Sequence, residues 1–91
     1  MKITIEYNSY PLRKLTNKQI EEIEVNSDSN FIKVLELLQK EYGKEFKNTV
    51  IDKNTGKIRF LILIDGISIV DLNYKLKDKN RINFLTLVTG G

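Results

Sequence analysis

The chain has 91 residues, a net charge of +3 and 41% hydrophobic residues, which suits one small domain and is too little for two. It has no cysteine and no histidine, which excludes a thiol nucleophile, an imidazole base, a soft-metal site and a disulfide. We expect no bound metal or cofactor. No transmembrane helix or signal peptide is expected either, and the lack of cysteine fits a cytoplasmic protein.

Two stretches of the N-terminal half predict paired strands. Residues 2–7 and 22–25 alternate apolar and polar side chains, with Ile3, Ile5, Tyr7, Ile23 and Val25 on the apolar faces. Between them, Asn8 to Pro11 is typical of a turn, and a polar passage continues to Lys18. A helix over Asn17 to Glu24 is the alternative for the second stretch.

The next stretch predicts a helix from about Ser29 to Tyr42. Small polar residues that cap helix starts occupy positions 26–30. The apolar positions that follow form one stripe of an amphipathic helix: Phe31, Val34, Leu35, Leu38 and Tyr42. Gly43 then supplies the residue at which such a helix ends.

Residues 50–58 are interpreted as a tight turn between two extended arms, with Asn54 and Gly56 suited to positive φ. Asp52 and Asn54 have the spacing of the first two ligands of a calcium loop. The glycine falls one place early, however, and Leu63 stands where the bidentate glutamate belongs, so the calcium pattern fails.

The C-terminal third predicts three further strands. Residues 59–64 are apolar on both faces, so this strand is either central or has an outer face meant for a partner. Asp65-Gly66 is a hairpin signal leading into a short strand, residues 67–69. In the last strand, Ile82 and Phe84 are assigned to the core and Leu85 and Leu87 to the exposed face.

The order of elements predicts an α+β fold of the β-grasp type. One main helix would pack across one face of a mixed sheet of four to five strands, within a single domain of residues 1–91 whose tail, residues 88–91, is flexible. The first and last strands would lie side by side at the centre and run parallel, because the chain must cross over between them.

The sequence ends in Gly90-Gly91. Two residues without Cβ pass through a channel too narrow for side chains, so a carboxylate there reaches a buried active site. That carboxylate is ionised near neutral pH and is a poor electrophile until it is activated, for example as an acyl-adenylate. A frayed chain end without function is the alternative.

The segment from Ile58 to Gly91 resembles the ubiquitin-like sulfur carriers of the MoaD/ThiS family, and more closely the ubiquitin-related modifiers and small archaeal modifiers. The resemblance is carried by three motifs, namely Leu61-Ile62-Leu63-Ile64-Asp65-Gly66, Leu72-Asn73-Tyr74-Lys75-Leu76-Lys77-Asp78, and Ile82-Asn83-Phe84 with Gly90-Gly91. Residues 85–89 lack the prolines typical of molybdopterin-synthase small subunits, and Lys79-Asn80 replaces the usual Gly-Asp. The N-terminal half agrees only in pattern.

This resemblance implies a carrier and not an enzyme. An adenylyltransferase would activate Gly91 with ATP, and a sulfur donor would convert the adenylate to a thiocarboxylate. A downstream thiolation enzyme would then deliver sulfur to a tRNA base or a cofactor precursor such as that of molybdopterin, or the activated glycine would acylate lysines of target proteins. A β-grasp interaction module without C-terminal chemistry is the alternative.

Two surfaces are candidate contacts with such partners. An apolar partner-binding face is predicted at Leu61, Leu63, Leu85, Leu87 and Val88; the alternative is that the passage from Asn8 to Lys18 folds over it. A basic run is predicted to steer association electrostatically: Lys75, Lys77, Lys79 and Arg81. A solvated turn and a nucleic-acid contact are the alternatives for this run, and we expect no direct nucleic-acid binding.

Overall fold

The computed structural model describes residues 1–86. In chain order its elements are β1 (Lys2–Asn8), α1 (Tyr10–Thr16), β2 (Ile20–Glu24), α2 (Phe31–Tyr42), α3 (Lys44–Val50), β3 (Phe60–Ile64), β4 (Ile67–Ile69) and β5 (Arg81–Thr86). The predicted flexible tail at residues 88–91 lies outside the described residues.

The five strands form one mixed sheet in the order β2-β1-β5-β3-β4. The central pair β1 and β5 is parallel, whereas β2, β3 and β4 pair antiparallel with their neighbours. The predicted α+β β-grasp fold, with its first and last strands parallel at the centre, is confirmed.

One face of the sheet carries the core. Alternate residues of the central strands are almost fully buried there, including Ile5, Tyr7, Ile62 and Phe84, because successive side chains of a strand point to opposite faces. The stripe of α2 packs against them through Phe31, Val34, Leu35 and Leu38, as predicted. All outward positions of β1, β3 and β5 therefore belong to the opposite, helix-free face.

The helix α2 begins and ends close to the predicted residues. Asn30 caps its start, since the Asn30 side chain accepts a hydrogen bond from the Lys33 backbone N–H at 3.0 Å. Gly43 ends the helix with φ +96°, a conformation that favours glycine. The predicted hairpin is also present, because Asp65 and Gly66 both have positive φ, as a two-residue turn of this type requires.

Two short helices were not predicted. Asn8 to Pro11 was interpreted as a turn, followed by a polar passage to Lys18, but residues 10–16 form α1. Pro11 lies in the first helical turn, where the missing N–H costs nothing. Residue Val50 was interpreted as part of an extended arm, but it ends α3. Both helices bury residues four apart, Leu12 with Thr16 and Phe46 with Val50, a spacing too brief to stand out in the sequence.

The packing of α1 decides where the passage from Asn8 to Lys18 lies. Leu12 is fully buried within the core cluster, and α1 contacts α3 and β1. The alternative in which this passage covers the apolar face of β3 and β5 is therefore wrong. Within residues 1–86, the helices pack on the core side of the sheet and not on that face.

A buried polar cluster ties the edge strand β2 to the helices. The carboxylate of Glu21 accepts hydrogen bonds from the hydroxyls of Tyr7 and Tyr42, each at 2.6 Å, and lies 3.5 Å from the Lys18 ammonium. Burial, followed by the hydrogen bond to Glu21, raises the pKa of Tyr7 well above its usual value, and the same two causes raise the pKa of Tyr42. Both tyrosines therefore stay protonated at pH values where an exposed tyrosine ionises.

This cluster predicts a loss of stability in alkali. An unfolded tyrosine gives up its proton near pH 10, whereas Tyr7 keeps it in the folded state, so the unfolded state binds fewer protons and the free energy of unfolding falls as the pH rises. The slope is about 1.4 kcal/mol per pH unit for each such group above pH ~10. This slope is measured by urea unfolding of wild type and of Tyr7→Phe between pH 7 and 11.

We expect Tyr7→Phe to cost about 2 kcal/mol at pH 7, the usual value for a buried hydrogen bond to a charged group. Its curve against pH should fall less steeply above pH 10 than that of wild type. Tyr42→Phe is the matched control, and it should cost less because Tyr42 is only half-buried. Parallel curves for wild type and Tyr7→Phe would show that Tyr7 ionises normally.

Candidate functional site

The helix-free face of the sheet divides into a charged part and an apolar part. Across β2, β1 and the start of β5 it carries Lys2, Glu22, Glu6 and Arg81, of which Lys2 pairs with Glu22 at 3.8 Å and Arg81 with Glu6 at 2.6 Å. Across β3 and the end of β5 it is mainly leucine. We call this second part the leucine face, defined by Leu61, Leu63 and Leu85.

Strand register brings the leucine face together. Leu61 lies directly opposite Leu85 on the neighbouring strand, and Leu63 lies opposite Asn83. Asn83 faces Glu6 on its other side, so it lies where the leucine face meets the charged part. Cross-strand partners have Cβ atoms about 5 Å apart, which is contact distance for leucine. All three side chains are half-buried.

The leucine face lies at the end of the sheet from which the C-terminal segment departs. Leu85 is the penultimate residue of β5, whose last residue is Thr86. The remaining predicted site residues, Leu87, Val88, Gly90 and Gly91, lie outside the described residues. Gly91 is five residues beyond Thr86 in the sequence, a length of chain that spans at most about 17 Å when extended.

The basic run occupies the opposite end of β5. Lys75, Lys77 and Lys79 are exposed in the loop before this strand, and Arg81 begins it with its guanidinium on Glu6. Leu85 is four residues beyond Arg81 along the extended strand, about 13 Å. Arg81 is nevertheless only two residues from Asn83, which lies opposite Leu63. The three lysines are therefore separate from the leucine face, whereas Arg81 borders it.

A groove of about 690 Å³ opens beside the short strand β4. It is lined by Ile58, Phe60, Ile69 and Leu72 and shares Leu61 with the leucine face. The groove forms because β4 pairs with β3 only as far as Ile62 and then diverges. Its lining holds one acidic group, Asp71.

The described residues show no cluster of acidic side chains that is arranged to hold a metal ion. None of the helices within residues 1–86 is long and apolar enough to cross a membrane.

Comparisons with known proteins place the fold. No protein-family model matches the sequence, and no curated protein matches it. Similar solved structures include SAMP1 from Haloferax volcanii (14% identity, all of both chains covered, TM-score 0.79) and Urm1 from Trypanosoma brucei (18% identity, 99% of this chain and 95% of that one, TM-score 0.74). A third is a chain in a complex of subunits 1 and 2 of the molybdopterin-converting factor from Helicobacter pylori. It has 22% identity and a TM-score of 0.64, and the match covers 100% of this chain and 100% of that one.

These identities are too low to transfer a residue's role, but the coverage shows that the likeness extends over the whole chain and not only over its C-terminal third. The resemblance predicted from residues 58–91 is thereby confirmed: the chain has the ubiquitin-like β-grasp fold shared by the small archaeal modifiers, the ubiquitin-related modifiers and the small subunit of the molybdopterin-converting factor.

Proposed function

We propose that this protein is a sulfur carrier that is activated at its C-terminal Gly90-Gly91. The observation that carries the proposal is the position of the leucine face, which lies on the side of the sheet opposite the core and the helix α2 and borders the strand end that leads to the diglycine. A contiguous apolar patch on a small domain marks a partner site. A partner docked there would hold the tail within reach of its own active site.

The chemistry follows from the carboxylate of Gly91. Its oxygen attacks the α-phosphorus of ATP on the adenylyltransferase, which releases pyrophosphate and leaves an acyl-adenylate. Hydrosulfide, or a sulfur donor of the same reactivity, then attacks the carbonyl carbon and displaces AMP, which gives a thiocarboxylate. The carrier supplies the reacting carboxylate and the docking surface, and the adenylyltransferase supplies the catalytic groups and binds ATP.

The thiocarboxylate then passes its sulfur to a downstream enzyme for tRNA thiolation or cofactor biosynthesis. Attack by a lysine amine of a target protein on the activated glycine gives an isopeptide bond instead, which is conjugation. Both outcomes use the same activated tail. The similarity of fold to a small archaeal modifier protein and to a molybdopterin-converting factor complex supports a carrier or modifier function.

The test is adenylation of the wild-type chain by the adenylyltransferase of the same organism, followed as pyrophosphate release. Dependence of the release on both proteins and on ATP is the expected result. If no adenylyltransferase of that organism activates the chain, the second candidate function, a β-grasp interaction module, is favoured. The leucine face supports that function as well, because binding a partner there needs no C-terminal chemistry.

The basic run is proposed to act on the rate of association alone. Changing Lys75, Lys77 and Lys79 to Glu should slow association with the adenylyltransferase about tenfold at low salt, and the difference should shrink as salt is added. The rate of adenylation at saturating carrier should stay the same, because the run lies at the far end of β5 from the tail. Stopped-flow binding and saturation kinetics measure the two effects.

Charge reversal at Lys40, Lys44 and Lys47, which lie exposed or half-buried on the helical side, is the matched control and should have a smaller effect on association. A fall in the saturated adenylation rate of the loop variant would place the basic run in the catalytic geometry.

A further inference from the structure

An amide pair that the docking argument does not use lies at the border between the leucine face and the charged part of the sheet face. The side-chain amide of Asn8 donates to the amide oxygen of Asn83 at 2.7 Å, between the central strands β1 and β5. On the leucine side Asn83 is flanked by Leu63 on β3 and by Leu85 two residues along its own strand. On the charged side it is flanked by Glu6 on β1 and by Arg81. An apolar partner surface that covers the leucines must therefore also cover this amide pair.

The pair keeps unused hydrogen-bonding groups. Asn8 donates to Asn83 and, at 3.4 Å, to Glu6. Within residues 1–86, the amide nitrogen of Asn83 and the amide oxygen of Asn8 have no further partner. However the two amides are turned, one bond between them consumes one donor and one acceptor. At least one N–H and one carbonyl oxygen are thus left for water in the unbound protein.

The charged groups around the amide pair decide which chemical group of a partner can lie against it. The carboxylate of Glu6 is the nearest charged group, and it is already neutralised by the Arg81 guanidinium at 2.6 Å and takes the second contact from Asn8. A carboxylate or an ammonium group brought against the pair would lose its own water without gaining an opposite charge. A neutral group that offers both an acceptor and a donor, such as a peptide or carboxamide group, fits the pair.

We infer that the Asn8–Asn83 pair determines partner specificity: the surface that docks on the leucine face carries a neutral amide group opposite the pair. This inference rests on the proposed function, since it concerns the adenylyltransferase that the leucine face would bind. A docking surface that is apolar throughout would bury the pair without partners and would be rejected, because an unpaired buried polar group opposes binding.

The test compares two variants in adenylation kinetics with the adenylyltransferase that activates the wild-type chain. Asn83→Asp keeps the bond from Asn8 but removes the outward donor. Asn8→Leu with Asn83→Leu removes the pair and leaves the partner's amide facing leucine. Each should raise KM by about 10- to 100-fold, the effect of one or two unmade buried hydrogen bonds, with kcat unchanged because the tail is intact.

Thr4→Leu is the control, since Thr4 lies on the same sheet face beside Arg81 and Glu22 and away from the leucines. It should leave KM near the wild-type value. A double variant whose KM stays within about twofold of wild type, or falls, would overturn the inference, since the partner would then be apolar at this point. Thermal unfolding of each variant separates loss of docking from loss of folding. Failure of the wild-type chain to be adenylated would instead contradict the proposed function itself.

Discussion

Deletion of Gly91 should abolish adenylation and leave the melting temperature unchanged. The carboxylate would move back by one residue, about 3.5 Å, and a misplacement of even 1 Å costs an aligned reaction about 100-fold. Gly91→Ala should act in the same direction, because its Cβ would enter a channel that we propose admits only glycine. Pyrophosphate release at saturating carrier measures the chemical step, and calorimetric unfolding measures stability.

Two controls make this result specific to the diglycine. Thr89→Ala changes the tail but keeps its length and both glycines, so it should be adenylated at close to the wild-type rate. Binding of the Gly91 deletion to the adenylyltransferase, measured by calorimetry, should be retained because the leucine face is unchanged. Adenylation of the deleted chain at the wild-type rate would refute a carrier function.

Leu85→Asp and Leu61→Asp should each weaken binding to the adenylyltransferase by about 100-fold, since a charge would be buried against an apolar surface without a partner. The two residues lie opposite each other at the tail end of the sheet, so the two variants should have similar effects. The cost in folding stability should be about 1–2 kcal/mol, because each side chain is half-buried and loses its cross-strand leucine contact as well as strand propensity.

Thr4→Asp tests whether any charge on this sheet face suffices to weaken binding. It introduces the same aspartate at an outward position of β1, opposite Arg81 and Glu22, and it should bind within about threefold of wild type, the size expected for a rim position. A collapse of the melting temperature in Leu85→Asp would mean that this side chain belongs to the core. Unchanged binding in both leucine variants would show that the docking surface lies elsewhere.

The sequence was most informative where one periodicity ran long enough to dominate. The stripe of α2 and the alternation in β1 fixed which faces are buried, and Asp65-Gly66 fixed the hairpin. The faces of β3 and β5 followed from parity alone, which is why Leu61 and Leu85 could be assigned to one surface before their register was known.

Short elements were missed for a physical reason. Seven residues make two helical turns and bury only two side chains, so α1 and α3 have little periodicity of their own and depend on tertiary packing, Leu12 and Phe46 being buried in the common core. The signal for α1 was Pro11, which favours a turn and a first helical position equally.

The amide pair was also out of reach of the sequence. Asn8 and Asn83 are 75 residues apart in the chain, and only the parallel pairing of β1 with β5 brings them together. Asn8 lies at the start of the predicted turn, and Asn83 lies within the last strand between Ile82 and Phe84. Neither position by itself indicates a contact between the two side chains. The contact depends on register, which pattern reasoning does not fix to one residue.

The most direct test of the carrier function is the intact mass of the protein after incubation with ATP, the adenylyltransferase of the same organism and a sulfide source. We predict a gain equal to the mass difference between sulfur and oxygen, located by fragmentation to Gly91 and absent when ATP is omitted. An unchanged mass under conditions in which the adenylyltransferase forms the acyl-adenylate of another carrier would contradict the account.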